Sequence, residues 1–179
     1  MNPALLQNNR VDNKKGGVKI VVLSDTHIPQ VAEELPSKIY DELKSADLLL
    51  HAGDITSLIF LKNLQKLVKE IKAVYGNMDE LGLRKILPRK EVIKVNGFSI
   101  GLIHGWGAPS GLIDLAEKEF QEKKPDIIIF GHSHQPLSLN KNGILFFNPG
   151  SPTDKVFSGE NSYGIILIDD RIDAKIVRL

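Results

Sequence analysis

The chain is predicted to be a single α/β domain, a four-layer α/β/β/α sandwich of two mixed sheets flanked by helices. Three observations lead there. Four unbroken apolar runs, "VKIVVLS" (18–24), "DLLLHAG" (47–53), "IKAVYGN" (71–77) and "DIIIFGH" (126–132), have the length and composition of strands buried on both faces. Helix-period segments lie between them, as parallel strands joined by crossovers require. Paired alternating runs around turn residues add hairpins, hence antiparallel strands. Two sheets packed face to face with helices outside use all of these.

In order, residues 1–17 are polar, Asn-rich and aperiodic, and are expected to be a flexible leader outside the core, leaving 18–179 as the domain. After the first strand, Pro36 stands where a first helical residue belongs, and a helix should run to about Ser45. Leu58, Leu61, Leu64, Leu67, Val68 and Ile71 recur at helical spacing behind Thr56 and Ser57 as N-caps, predicting an amphipathic helix. "KEVIKVNGFSIGLIHG" carries Asn96-Gly97 between two alternating runs, the strongest short hairpin signal. A third helix is expected from about Gly111 to Lys123, ending before Pro125. "LSLNKNGILFFN" and "YGIILIDDRIDAKIVRL" read as two further hairpins, turning near 141–143 and 169–171.

Composition excludes more than it selects. At 179 residues the chain suits one core. Lys+Arg at 23 against Asp+Glu at 22 leaves a net charge of +1, which argues against a surface built to neutralise nucleic-acid phosphates. There is no cysteine, so thiolate metal sites and cysteine nucleophiles are excluded and any metal must be held by nitrogen and oxygen. The absence of a membrane-length apolar run or a signal-peptide core makes the cytoplasm the expected location.

The polar residues that interrupt the apolar runs carry the functional signal. Asp25 and His27 follow the first strand, Asp54 the second, Asn77 the third, His104 the far strand of the Asn96-Gly97 hairpin, and His132 and His134 the run at 126–132. Each lies just past a strand's carboxyl end, where an α/β sheet builds its sites. Two Asp, one Asn and four His form a sulfur-free donor set for manganese, iron, nickel, cobalt or zinc. Seven side chains exceed what one ion takes while leaving room for substrate. If one carboxylate bridges, they supply eight bonds, four to each of two ions. A water between two such ions loses its proton far more easily than bulk water, giving a hydroxide near neutral pH.

The motifs "SDTH" (24–27), "HAGDI" (51–55), "YGNMD" (75–79), "LIHG" (102–105) and "FGHSH" (130–134), in this order and spacing, resemble the calcineurin-like metallophosphoesterases. The likeness is strongest to their small prokaryotic single-domain phosphodiesterase branch, which is related to the retromer subunit of that fold, and it covers roughly residues 18–179. The resemblance implies that Asp25, His27 and His134 hold one ion, Asn77, His104 and His132 the other, and that Asp54 bridges, with Asp54, Asn77 and His104 counted as catalytic. It implies a dimetal phosphoesterase cleaving phosphodiesters by attack of a metal-bridging hydroxide. Manganese is the expected ion and a small phosphoester the substrate, with no membrane partner and a homo-oligomer left open. A phosphomonoesterase or nucleotidase on the same site, and a non-catalytic binding scaffold of the same fold, are the alternatives.

Several nearby residues receive plainer expectations. His51, inside "LLLHAG", is expected to be a hydrogen-bonded core histidine. Arg84, Lys85, Arg89 and Lys90 are expected to form a solvated face. Trp106, between two glycines, either stacks on a substrate ring or packs against the sheet edge. Met78 stands where many relatives carry a histidine thought to protonate the leaving group, and a thioether cannot do so. "NPGSP" (148–152) resembles a family loop, followed here by "TDK".

Overall fold

A computed structural model of the chain describes residues 10–11 and 17–179. Its elements are β1 (Arg10–Val11), β2 (Val18–Leu23), α1 (Ser37–Ser45), β3 (Leu48–His51), α2 (Leu58–Gln65), β4 (Ile71–Ala73), α3 (Leu81–Ile86), β5 (Lys90–Val95), β6 (Phe98–Ile103), α4 (Leu112–Glu119), β7 (Ile127–Ile129), β8 (Leu137–Lys141), β9 (Ile144–Asn148), β10 (Ser162–Ile168) and β11 (Ile172–Arg178).

They build two mixed sheets. One is ordered β11-β10-β2-β3-β4, with β2, β3 and β4 parallel and β10 antiparallel to both its neighbours. The other is ordered β1-β5-β6-β7-β9-β8, with β6, β7 and β9 parallel and the hairpins β5–β6 and β8–β9 antiparallel. The alternation of side chains along β2 assigns the layers. Ile20 and Val22 pack with Leu48, Leu50, Ile100, Leu102, Ile127 and Ile129 between the sheets. Val21 and Leu23 face the other way, toward Ile39 and Leu43 of α1, Phe60, Leu61 and Leu64 of α2, and Leu83 of α3. On the far side, Ile103, Ile128 and Phe146 meet Leu112 and Ala116 of α4 and Phe120 beyond it. The result is the α/β/β/α sandwich. Each fully buried aliphatic side chain contributes about 1.5–3 kcal/mol, an upper estimate because the unfolded chain already buries some of that surface.

The elements differ from expectation mostly at their ends. Ser57 caps α2 as expected, its side chain accepting from the Ile59 and Phe60 amides. The helix stops at Gln65, however, and Ile71 opens β4. Leu67, Val68 and Ile71 keep helical spacing because the turn after α2 packs on the same core, not because the helix continues. Helix α4 is likewise shorter than expected, preceded by a 3-10 turn at Pro109–Gly111. Helix α3 was not expected: six residues with a glycine inside carry too little periodicity to read. Within the expected leader, Arg10–Val11 pairs in parallel with Lys94–Val95 of β5, and residues 1–9 and 12–16 lie outside the described residues. No helix of the described residues is long and apolar enough to cross a membrane.

Candidate metal centre

The parallel strands β2, β3 and β4 of one sheet and β6 and β7 of the other end at one edge of the sandwich. Their loops are tied by backbone hydrogen bonds. The Asp25 amide donates to Gly53 O (3.0 Å), the His27 amide to Asp54 O (3.1 Å) and the Gly131 amide to His104 O (3.1 Å). Side chains from both sheets therefore meet over a short distance.

Asp25 is fully buried at the middle of this cluster. Its Oδ1 lies 3.1 Å from His104 Nε2 and 3.3 Å from His134 Nε2, while Oδ2 accepts from Ser24 Oγ (2.6 Å) and the His132 amide (3.0 Å). Asp54 Oδ2 lies 3.4 Å from His104 Nε2 and 3.6 Å from His27 Nε2, and its Oδ1 accepts from the Met78 amide (2.7 Å). Two sets of donor atoms converge, each within 4.8 Å of one another: Asp25, His27 and His134, and Asp25, Asp54 and His104. Asn77 and His132 are placed beside them but turned to each other, with Asn77 Oδ1 3.0 Å from His132 Nδ1 and His132 Nε2 2.9 Å from Gly107 O. The His104 and His132 rings are 5.2 Å apart, edge to face. All seven sequence-derived residues thus stand at one strand edge, five in converging donor sets and two adjacent.

The backbone is bent to achieve this. Asp25, His27, Asp54, His132 and His134 all have φ between 44° and 69°, in the left-handed region that non-glycine residues seldom adopt. Strain of this kind persists where the surroundings over-determine it, as at ligand clamps. Two glycines make room for the carboxylates. A Cβ on Gly76 would lie 2.1 Å from Asp54 Oδ1, and one on Gly131 would lie 1.9 Å from Ser24 Oγ and 2.8 Å from Asp25 Oδ2.

The charges of the cluster are closely balanced. Burial would raise the Asp25 carboxyl, but hydrogen bonds from His104 and His134 outweigh it and hold the group far below the usual carboxylate range. Asp54 is lowered on the same balance, with His104 as its main partner. His104, which burial alone would lower, is pushed up to about 10 by Asp25 and Asp54, and His134 to about 8 by Asp25 and Asp154. Two buried carboxylates therefore demand positive charge between them, and in a metal-free chain imidazolium protons supply it. His27 Nε2 is buried without a hydrogen-bond partner. An unpartnered imidazole nitrogen facing two ionised carboxylates fits a divalent cation, and the nitrogen and oxygen donor set is one that such ions accept.

Residues 18–171 match the calcineurin-like phosphoesterase superfamily domain. The chain belongs to that superfamily. A probable metallophosphoesterase of Methanothermobacter thermautotrophicus is 36% identical over 160 residues, spanning 89% of this chain and 91% of that one. Among solved structures, a Thermotoga maritima protein is 37% identical with a TM-score of 0.73, covering 90% of this chain and 99% of that one. Vps29 from Entamoeba histolytica, solved in complex with zinc, is 26% identical with a TM-score of 0.70, covering 89% and 98%. Calcineurin-like phosphoesterases use divalent metals, and this member carries the candidate ligands for them.

The structure also shows residues of this phosphoesterase to which the sequence assigned no role. Asp154, in the "TDK" that follows "NPGSP", accepts a short hydrogen bond from His134 Nδ1. Ser151 Oγ donates to Asp25 O (2.7 Å) and Thr153 Oγ1 to Thr26 O (2.8 Å), so this loop clamps the first ligand loop from behind. Asp79 accepts from the Thr56 amide (2.6 Å) and the Gly76 amide (2.7 Å), locking the loops after β3 and β4 together. The signal was present, since both aspartates sit in or beside quoted motifs, but nothing local says which backbone they reach. His51 meets expectation: Nε2 is 3.1 Å from Thr26 Oγ1, and burial pushes its pKa down to about 3. All four residues of the expected solvated face are exposed, and two of them also make contacts near the site. Arg84 donates to the Asp79 carbonyl (2.9 Å) and to the Asn77 carbonyl, bracing the Asn77 loop, and Arg89 lies over the Trp106 ring at 4.1 Å.

Proposed function

We propose that the chain is a dimetal phosphodiesterase. Asp25, His27 and His134 would hold one divalent ion and Asn77, His104 and His132 the other, with Asp54 shared. The observation that carries this is the convergence of His27, His104 and His134 nitrogens on the Asp25 and Asp54 carboxylates, with a buried His27 nitrogen lacking any hydrogen-bond partner. Two bound ions would supply positive charge for the phosphate and an activated water at neutral pH. Manganese is the resident ion of this proposal, with nickel, iron, cobalt and zinc also accepted by oxygen and imidazole donors.

The chain's own residues prepare the site. Asp54, with its Oδ1 fixed by the Met78 amide, keeps Oδ2 aimed between His27 and His104. The carboxyl of Asp154 orients the His134 ring so that Nε2 faces Asp25. Asn77 is held at the rim by Arg84 on its own carbonyl, placing its side-chain amide next to His132. Met78 follows Asn77 and offers no proton, which favours esters whose leaving group departs unaided and hence diesters of acidic alcohols over alkyl monoesters. A purely binding role on the same fold would not require all seven donors.

The test is chelator-stripped protein assayed on bis(p-nitrophenyl) phosphate with each divalent ion in turn. Cleavage that returns with manganese and is lost in Asp54→Ala is expected. No cleavage with any ion would refute the reading.

A further inference from the structure

Exposed apolar side chains stand on the loops that build the centre. Val31, Met78, Trp106, Val156 and Phe157 are all large hydrophobics exposed to solvent, and each stands on a loop that carries a candidate ligand or its partner. The Val31 amide donates to His27 O, Met78 follows Asn77, and Trp106 lies between His104 and Gly107, whose carbonyl meets His132. Val156 and Phe157 donate their amides to Asp154 Oδ1. A centre for inorganic phosphate or a small polar ester gains nothing from such a rim, because exposed apolar surface is costly unless something covers it.

The two aromatics are specifically placed. Trp106 is flanked by Gly105 and Gly107, both in the left-handed region (φ 92° and 88°). It remains 39% exposed although the Arg89 guanidinium covers part of it at 4.1 Å. Phe157 is 71% exposed and stands edge to face with His134, ring centroids 5.9 Å apart. Trp106 thus precedes the glycine whose carbonyl meets His132, and Phe157 stands against His134.

We infer that Trp106 and Phe157 form a subsite for a planar ring carried on the phosphoester, a nucleoside base or aryl group, which rests on the phosphoesterase reading and names its substrate class. Stacking of a ring on an aromatic side chain is worth about 1–3 kcal/mol, a factor of roughly 5–150 in affinity. The Arg89 cation lies over the indole, 4.1 Å from its centroid.

Two p-nitrophenyl diesters test it, one with thymidine 5′-phosphate and one with methyl phosphate, because they share the leaving group and differ only in the second ester. The wild-type KM should be at least about 5-fold lower for the thymidine ester. Trp106→Ala should abolish that preference, Trp106→Phe should restore part of it, and Leu167→Ala, exposed on β10, should leave it as in wild type. Trp106 is the chain's single tryptophan, so its fluorescence should be quenched by thymidine 5′-phosphate and not by methyl phosphate in the manganese-loaded protein. Cleavage of both esters with equal KM and a silent Trp106 would overturn the ring subsite and leave the phosphoesterase reading standing. Failure to cleave either ester with any ion would sink the phosphoesterase reading instead, and the fluorescence titration would still decide whether a ring binds.

Discussion

His134 is gripped from both ends: Nδ1 donates to the Asp154 carboxylate while Nε2 faces Asp25 Oδ1 at 3.3 Å. A carboxylate on the remote nitrogen fixes the tautomer and makes the near nitrogen a better donor, and removing such a partner typically costs about 10–100-fold in metal affinity. Asp154→Asn should therefore weaken manganese binding by about that factor, and Asp154→Ala by more. Calorimetric titration of the metal-free variants checks this, and unchanged affinity in both would show that Asp154 only packs.

Gly76 predicts a steric effect at Asp54. A methyl group there meets Asp54 Oδ1 at 2.1 Å and the Asp54 amide at 2.6 Å, and backbone cannot yield as a flexible side chain does. Gly76→Ala should lower stability by about 1–3 kcal/mol and displace the carboxylate, reducing bound metal. Thermal unfolding and elemental analysis together report both consequences; a wild-type metal content would contradict the close approach.

His51 gives a pH dependence with a definite sign. Burial lowers its folded-state pKa from 6.5 to about 3, so the unfolded chain binds its proton first as pH falls. The stability it contributes is complete above 6.5 and is lost progressively as pH drops from 6.5 toward 3. His51→Gln should flatten the stability curve in that window relative to wild type. Parallel urea titrations across the window decide it, and superimposable slopes would mean that His51 takes up its proton in the folded state.

Met78 bears on the leaving group. Half exposed beside Asn77, it has no proton to give, and positioned acid catalysis is worth about 10²–10⁴ in rate. Rates over a series of substituted phenyl and alkyl diesters should depend steeply on leaving-group pKa, and Met78→His should shallow that slope. A flat dependence in wild type would reveal an acid elsewhere in the centre.

The apolar runs made the architecture legible because strands buried on both faces leave little room for polar residues, so each polar residue at a run's end marked a loop at the sheet edge. The same logic exposed Asp25, His27, Asp54, Asn77, His104, His132 and His134. Element ends were less legible: Leu67 and Val68 keep helical spacing in a turn because the core beneath α2 continues past it. The supporting residues were hidden for a different reason. Asp154 is 20 residues from His134 and Asp79 is 23 from Thr56, so their pairings depend on how the loops fold back, which no local pattern encodes. The two-residue strand β1 is too short to have a pattern at all.

Crystals of the chain grown with manganese, measured for anomalous scattering at the metal edge, test the central claim most directly. Two peaks per chain are predicted, both in contact with Asp54, one against Asp25, His27 and His134 and the other against Asn77, His104 and His132, with Asn77 and His132 released from their present pairing. A single peak, or none at Asp54, would contradict a dimetal centre.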